Sequence, residues 1–180
     1  MCIKEVVKMS KILLVIDVQE GFMNKNTETV YKKIVKYLWD GGIEYNKVVF
    51  TKYINNKSSP AYRIGYDRMF CGKEIEIYNE LREWCVCHRE LYKIFRKDTY
   101  SCWYSKNRNG ILFTEWLKEN RITDIDICGV ESNCCVLASA FDLFDNGYKV
   151  NILLDKCANM NGTRINELMV KEMFVEGKVE

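Results

Sequence analysis

The sequence has little to break it and little to ligate with: one proline, ten glycines and a single histidine, His88, in 180 residues. So few Pro and Gly exclude collagen-like and low-complexity chains. One imidazole means that any Ser-His-Asp triad or multi-histidine zinc site would have to be built around His88. Excess charge of one sign is also missing, since 27 Lys and Arg face 25 Asp and Glu for a net +2. That balance suits neither a disordered polyelectrolyte nor a nucleic-acid binder held by bulk charge. No run approaches the roughly 18 apolar residues of a membrane span. The opening MCIKEVVKMSK has no uninterrupted apolar stretch and no small-residue cleavage site, so the expected location is cytoplasmic and reducing. Nine cysteines are an odd number and fall below the roughly 8 to 10% of a secreted disulfide scaffold, which points to free thiols. At roughly 100 to 200 residues per domain, the expectation is a single domain over residues 1–180.

What the chain does have is apolar material: 48% hydrophobic residues, with eight Phe, four Trp and eleven Tyr. Residues 11–17 (KILLVID) form a near-continuous apolar, β-branched run of strand length, as in a strand covered on both faces. Residues 47–53, 91–97, 124–130 and 149–155 resemble it. Between them, apolar residues recur every three or four positions: Val30, Ile34, Tyr37 and Leu38; Ile77, Leu81 and Trp84; Ile111, Leu112, Trp116 and Leu117; Val136, Ala140, Leu143 and Phe144. Strands alternating with helices predict a three-layer α/β/α, Rossmann-like fold on a mostly parallel sheet of five to six strands. Residues 166–174 are amphipathic and expected to pack on that sheet, and 177–180 read as a short edge strand or a frayed end. The long non-periodic stretch 55–72 (NNKSSPAYRIGYDRMFCG) suits a substrate-covering flap or a solvated crossover loop.

Ligands of open parallel sheets bind at the carboxyl ends of the strands. There the sequence brings an acid, a base and a thiol: Asp17 ends the first strand, Lys97 the third, and the fourth runs into Glu131-Ser132-Asn133-Cys134-Cys135 before a helix. Singly these are a cap, a solvated terminus and a buried thiol; together they make a coherent set. A thiol in the first turn of a helix, near an ammonium, is expected to have a lowered pKa and to serve as nucleophile. A carboxylate within reach can take its proton and return it to a departing amine, and N–H groups of the same turn can hold an oxyanion.

Three blocks then carry a family resemblance. Asp17-Val18-Gln19-Glu20-Gly21-Phe22 resembles the D-x-Q-x-x-F opening of the isochorismatase-like cysteine hydrolases, and Lys97 to Trp103 resembles their K-x-x-x-S-x-F segment. Ile127-Cys128-Gly129-Val130-Glu131-Ser132-Asn133-Cys134-Cys135-Val136 is similar to their G-V-x-T-x-x-C-V signature. Registered on Cys-Val, the nucleophile falls on Cys135 and not on Cys134. The resemblance implies a six-stranded parallel sheet, an Asp17-Lys97-Cys135 triad and a cis peptide between Val130 and Glu131. It implies an oxyanion hole from the amides of Glu131 and Cys135, and hydrolysis of a small amide through a thioester. Expected substrate contacts are Gln19, Phe22, Tyr100, Trp103 and Glu131.

The departures matter as much. Nicotinamidases of this family carry an Asp-x-His and a further His after the second strand, holding a metal; here Thr51-Lys52-Tyr53-Ile54-Asn55-Asn56 has no His. No metal and no cofactor are expected, and nicotinamide is a poor substrate guess. Glu131 and Ser132 replace the usual small residue and Thr, so a charge can enter the pocket. Cys85, Cys87 and His88 look like half a zinc site that only Cys71 is near enough to extend. The reading is a metal-independent cysteine amidohydrolase, a homo-oligomer acting on a small amide, urea or carbamoyl compound, with no nucleic-acid or membrane partner. Its rival is a catalytically idle module of the same fold that binds a small ligand or a partner.

Overall fold

The computed structural model describes residues 10–40 and 45–174; the 177–180 tail, read as an edge strand or frayed end, lies outside them. Five strands, β1 (Ser10–Ile16), β2 (Lys47–Tyr53), β3 (Tyr92–Lys97), β4 (Ile122–Val130) and β5 (Lys149–Ala158), form one sheet in the order β3-β2-β1-β4-β5. All four pairings are parallel. Each run picked out by its apolar content is one of these strands, because a central parallel strand must be apolar on both faces. β1 shows this most plainly: Ile12 to Ile16 are all fully buried, with Leu13 and Val15 facing one core and Ile12, Leu14 and Ile16 the other.

The two cores are two helical layers. On one face lie α1 (Glu28–Trp39), burying Val30, Ile34 and Leu38, and α3 (Asn79–Cys87), burying Leu81 and Trp84. The Trp84 indole N–H donates to the Leu38 carbonyl at 3.2 Å, which ties the two helices together. On the other face lie α4 (Phe113–Glu119), α5 (Leu137–Asp145) and α6 (Glu167–Phe174). Each fully buried Leu, Ile or Phe on these faces is worth about 1.5–3 kcal/mol of transfer free energy. A short α2 (Pro60–Arg63) stands inside the 55–72 stretch, capped by Ser59. The sequence pattern had not suggested it, since four residues are too few for periodicity to register.

Two features of the sheet aim the chain at the site. Gly129 has φ +123°, and a Cβ there would lie 2.1 Å from the Ile16 carbonyl oxygen. Only glycine lets β4 pass so near the end of β1, and this brings the segment after β4 beside Asp17. In β5 the pairing slips: Ile127 pairs with Ile152 and Gly129 with Cys157, so residues 153–156 bulge out.

Candidate active site

Asp17 follows β1 directly and sits at φ +49°, in the left-handed region that short polar residues tolerate better than branched ones. Its carbonyl accepts from Gln19 N at 2.7 Å, turning the chain off the sheet. Thr51, in β2 alongside, donates its hydroxyl to Asp17 Oδ1 at 2.6 Å and accepts from Asp17 N at 3.0 Å. The other carboxylate oxygen, Oδ2, lies 2.6 Å from Lys97 Nζ; this is an ion pair without hydrogen-bond alignment. Both side chains are buried, Asp17 at 0% and Lys97 at 1% exposure. The Lys97 ammonium also donates to the carbonyls of Thr99 and Tyr100, each at 3.0 Å, and stands 5.3 Å from the centre of the Tyr53 ring. Burial by itself would depress Lys97, but the charges of Asp17 and Cys135 outweigh it and hold the ammonium above its ordinary range.

β4 ends at Val130; the Val130–Glu131 peptide is cis, and a five-residue π turn (Ser132–Val136) leads into α5. That turn presents two adjacent cysteines differently. Cys134 is exposed, whereas Cys135 is buried, and its thiol feels the charges of both Lys97 and Asp17. Burial pushes the Cys135 thiol up to about 12, with Lys97 opposing and Asp17 reinforcing. The lowered pKa expected from the sequence is therefore not found in the resting site. The reason is burial first, which disfavours the thiolate, while the favourable charge of Lys97 is offset in part by that of Asp17.

The other expected residues divide. Tyr100 is 45% exposed and senses both Cys134 and Cys135, which places it at the mouth of the site. Glu131 is half-buried; one carboxylate oxygen accepts from Met160 N at 2.9 Å, and burial raises its pKa. Phe22 is buried against Tyr53, with ring centres 6.3 Å apart, one ring removed from the lysine. Gln19 needs correction as a substrate contact. It is fully buried, its amide donates to the carbonyls of Tyr53 and Ile75 and accepts from Tyr53 N, and so it braces the rim from behind. Trp103 is half-buried and packs its ring at 6.3 Å against Tyr148, next to the start of β5.

Three contributors escaped the sequence reading. Thr51 had a signal: it is a small hydroxyl residue directly after the apolar Val48-Val49-Phe50 run, one position beyond the Val15–Phe50 pair. Ser132 Oγ and Tyr66 OH are buried without a hydrogen-bond partner. The 55–72 segment that carries Tyr66 is folded down on the site and stapled in place. Asn55 donates to the carbonyls of Tyr66 and Arg68, and Arg68 donates to that of Gly21. In the 51–56 stretch without histidine, Tyr53 OH donates to Asn55 Oδ1 and the Asn55 amide is committed to the Tyr66 carbonyl, so these two side chains do not fit a metal. Among the described residues no group of three or more His, Cys, Asp or Glu is placed to hold one. His88 instead stacks on Trp84 at 4.4 Å, its Nδ1 2.8 Å from the Trp84 carbonyl. No described helix is long and apolar enough to cross a membrane.

Comparison with known proteins agrees with the fold. The fold superimposes on N-carbamoylsarcosine amidase from Thermoplasma acidophilum with a TM-score of 0.75, covering 92% of this chain and 93% of that one at 19% identity. By sequence, the chain is 29% identical to Escherichia coli nicotinamidase over 65 residues, 36% of this chain and 30% of that protein. It is 38% identical to Isochorismatase family protein 1A of Dictyostelium discoideum over 71 residues, 38% of this chain and 32% of that protein. These matches span about a third of those two relatives' length. The isochorismatase domain model matches residues 11–179, and the chain belongs to that family.

Proposed function

We propose that this chain is a cysteine amidohydrolase that cleaves the C–N bond of a small amide, urea or carbamoyl compound. One observation carries the reading: a buried Asp17–Lys97 ion pair at 2.6 Å meets the buried thiol of Cys135. The site then holds one ammonium, one negative charge and one proton that two groups can share. When a carbonyl carbon arrives at sulfur, the thiol proton moves to Asp17 and the negative charge passes from carboxylate to sulfur, still balanced by Lys97. The S–C bond forms, and the carbonyl oxygen becomes an oxyanion held by the N–H groups of Glu131 and Cys135. Collapse breaks the C–N bond, and Asp17 returns the proton to the leaving nitrogen. Water, deprotonated by Asp17, then attacks the thioester; the C–S bond breaks and sulfur takes the proton back. Tyr100 and Glu131 line the approach, with Ser132 Oγ and Tyr66 OH as polar atoms still to be satisfied.

That relatives are an N-carbamoylsarcosine amidase and nicotinamidases supports C–N hydrolysis. The absence of histidine in residues 51–56 disfavours nicotinamide itself. The test is ammonia release from a panel of small amides, ureas and carbamoyl compounds, paired with mass spectrometry of the quenched enzyme. Ammonia release with an acyl adduct on Cys135 is expected. Release from no member of the panel, with Cys135 unmodified, would leave the idle binding module in possession.

A further inference from the structure

Five cationic residues line a hollow that the triad does not touch. The hollow has a volume of about 340 Å³ and lies along β3, the outermost strand on that side of the sheet. Its charged lining is Lys52, Arg89, Lys93, Arg96 and Arg108, with no acidic residue. Lys52 is buried and paired to Glu76 at 3.2 Å. Among the described residues the ion pairs involve Lys11, Lys32, Lys36, Lys52, Lys97 and Lys156, so the four other cations of the hollow have no acidic partner.

Gathering like charges is unfavourable unless a counter-charge compensates, and this chain carries only +2 in all. Lys and Arg on an edge strand can serve to discourage pairing with another chain. That explains Lys93 and Arg96. It does not explain Arg89 from the turn after α3, Arg108 from the loop after β3, or Lys52 from β2, which line the same space from three other places. The loop carrying Arg108 is also fixed. Arg96 and Lys106 exchange backbone hydrogen bonds at 2.8 and 3.0 Å, and Asn107 Oδ1 accepts from the N–H groups of Asn109 and Ile111. Tyr92 and Ile94 supply an apolar floor. A volume near the lower end of small-molecule sites favours a compact ligand over a macromolecular surface.

We propose that this hollow binds a small, multiply charged oxyanion of the phosphate class, at a site separate from the catalytic centre. Guanidinium groups match phosphate oxygens two at a time, and three of the five cations are Arg.

The experiment is calorimetric titration of the whole protein with tripolyphosphate, at ionic strengths of about 0.01 and 0.15 M. A double variant, Arg89→Ala with Arg108→Ala, removes two exposed groups that touch no core. A charge-matched control, Lys32→Ala with Lys36→Ala, removes the same charge from α1. One tripolyphosphate per chain is expected, weaker at the higher salt. Binding should drop roughly tenfold or more in the double variant and hold in the control. Absence of binding at low salt, equal loss in both double variants, or several anions per chain would each overturn the proposal. Tighter binding of a poly-glutamate peptide than of tripolyphosphate would overturn the small-ligand assignment and make the hollow a protein-docking surface.

Discussion

Thr51 and Asp17 form a closed ring of two hydrogen bonds: the threonine hydroxyl donates to Oδ1 at 2.6 Å and accepts from the Asp17 backbone N–H at 3.0 Å. The ring fixes the carboxylate so that Oδ2 alone faces Lys97. Thr51→Val keeps the shape and deletes both bonds. It should cost about 1–3 kcal/mol in stability, for the buried groups left unpaired. It should also lower kcat/KM at least about tenfold through misplacement of the proton acceptor. Thr51→Ser should restore the rate even where stability stays reduced. A Thr51→Val enzyme as active as the parent would show that the carboxylate needs no such holder.

The two neighbouring thiols give the plainest test of register. Cys135→Ala should abolish turnover while the urea midpoint stays close to that of the parent, and Cys134→Ala, at an exposed position, should keep most activity. The reverse result would move the nucleophile by one residue and detach it from the Asp17–Lys97 pair.

Breaking that pair should cost more than removing it. Lys97→Met leaves Asp17 charged, buried and alone, a change worth about 3–5 kcal/mol in denaturant unfolding. Adding Asp17→Asn to Lys97→Met should recover a large part of that loss. Asp17→Asn alone should slow catalysis by about 10² to 10⁴, the usual span for a lost proton shuttle. Additive losses in the double variant would mean that the two groups do not stabilise each other.

Alkylation of Cys135 should be slow near neutral pH and accelerate into the alkaline range, because burial holds the thiol up near 12. Asp17 raises it and Lys97 lowers it, so the two substitutions should act in opposite directions. At pH 8, Asp17→Asn should alkylate faster than the parent and Lys97→Met slower, as read by mass spectrometry of the Cys135 peptide. Changes of the same sign in both variants would rule out this account of the thiol.

Four described thiols, Cys85, Cys102, Cys135 and Cys157, are pushed up to about 12 by burial, from an ordinary 9.0. In the unfolded chain they release protons near 9 that the folded chain retains. The stability they contribute is therefore full below pH 9 and is lost as pH rises toward 12. A urea midpoint lower at pH 10 than at pH 8 is expected, and an unchanged midpoint would contradict it.

The strands were legible because a parallel sheet between helical layers demands apolar residues on both faces, and a run such as KILLVI satisfies nothing else as well. The three blocks of the site were legible because strand ends bring distant residues to one rim. The thiol's resting state was not, because burial depends on how tightly the rim closes, and the dipole and ammonium that favour a thiolate are visible in sequence while the competing carboxylate charge is weighed only in three dimensions. Gln19 looked like a pocket residue for a similar reason: its position in the motif says that it is needed and is silent on whether it faces ligand or backbone. Ser132 and Tyr66 come from segments 66 residues apart in sequence, and only the folded 55–72 segment brings the second of them in.

The Lys97 ammonium is held on two sides by the carbonyls of Thr99 and Tyr100, and it faces the carboxylate of Asp17 as an ion pair. An ammonium in water swings its protons toward whatever charge appears, and that rearrangement is part of a barrier. In the proposed mechanism this cation is already held by two carbonyls, so it needs little rearrangement as negative charge moves from oxygen to sulfur.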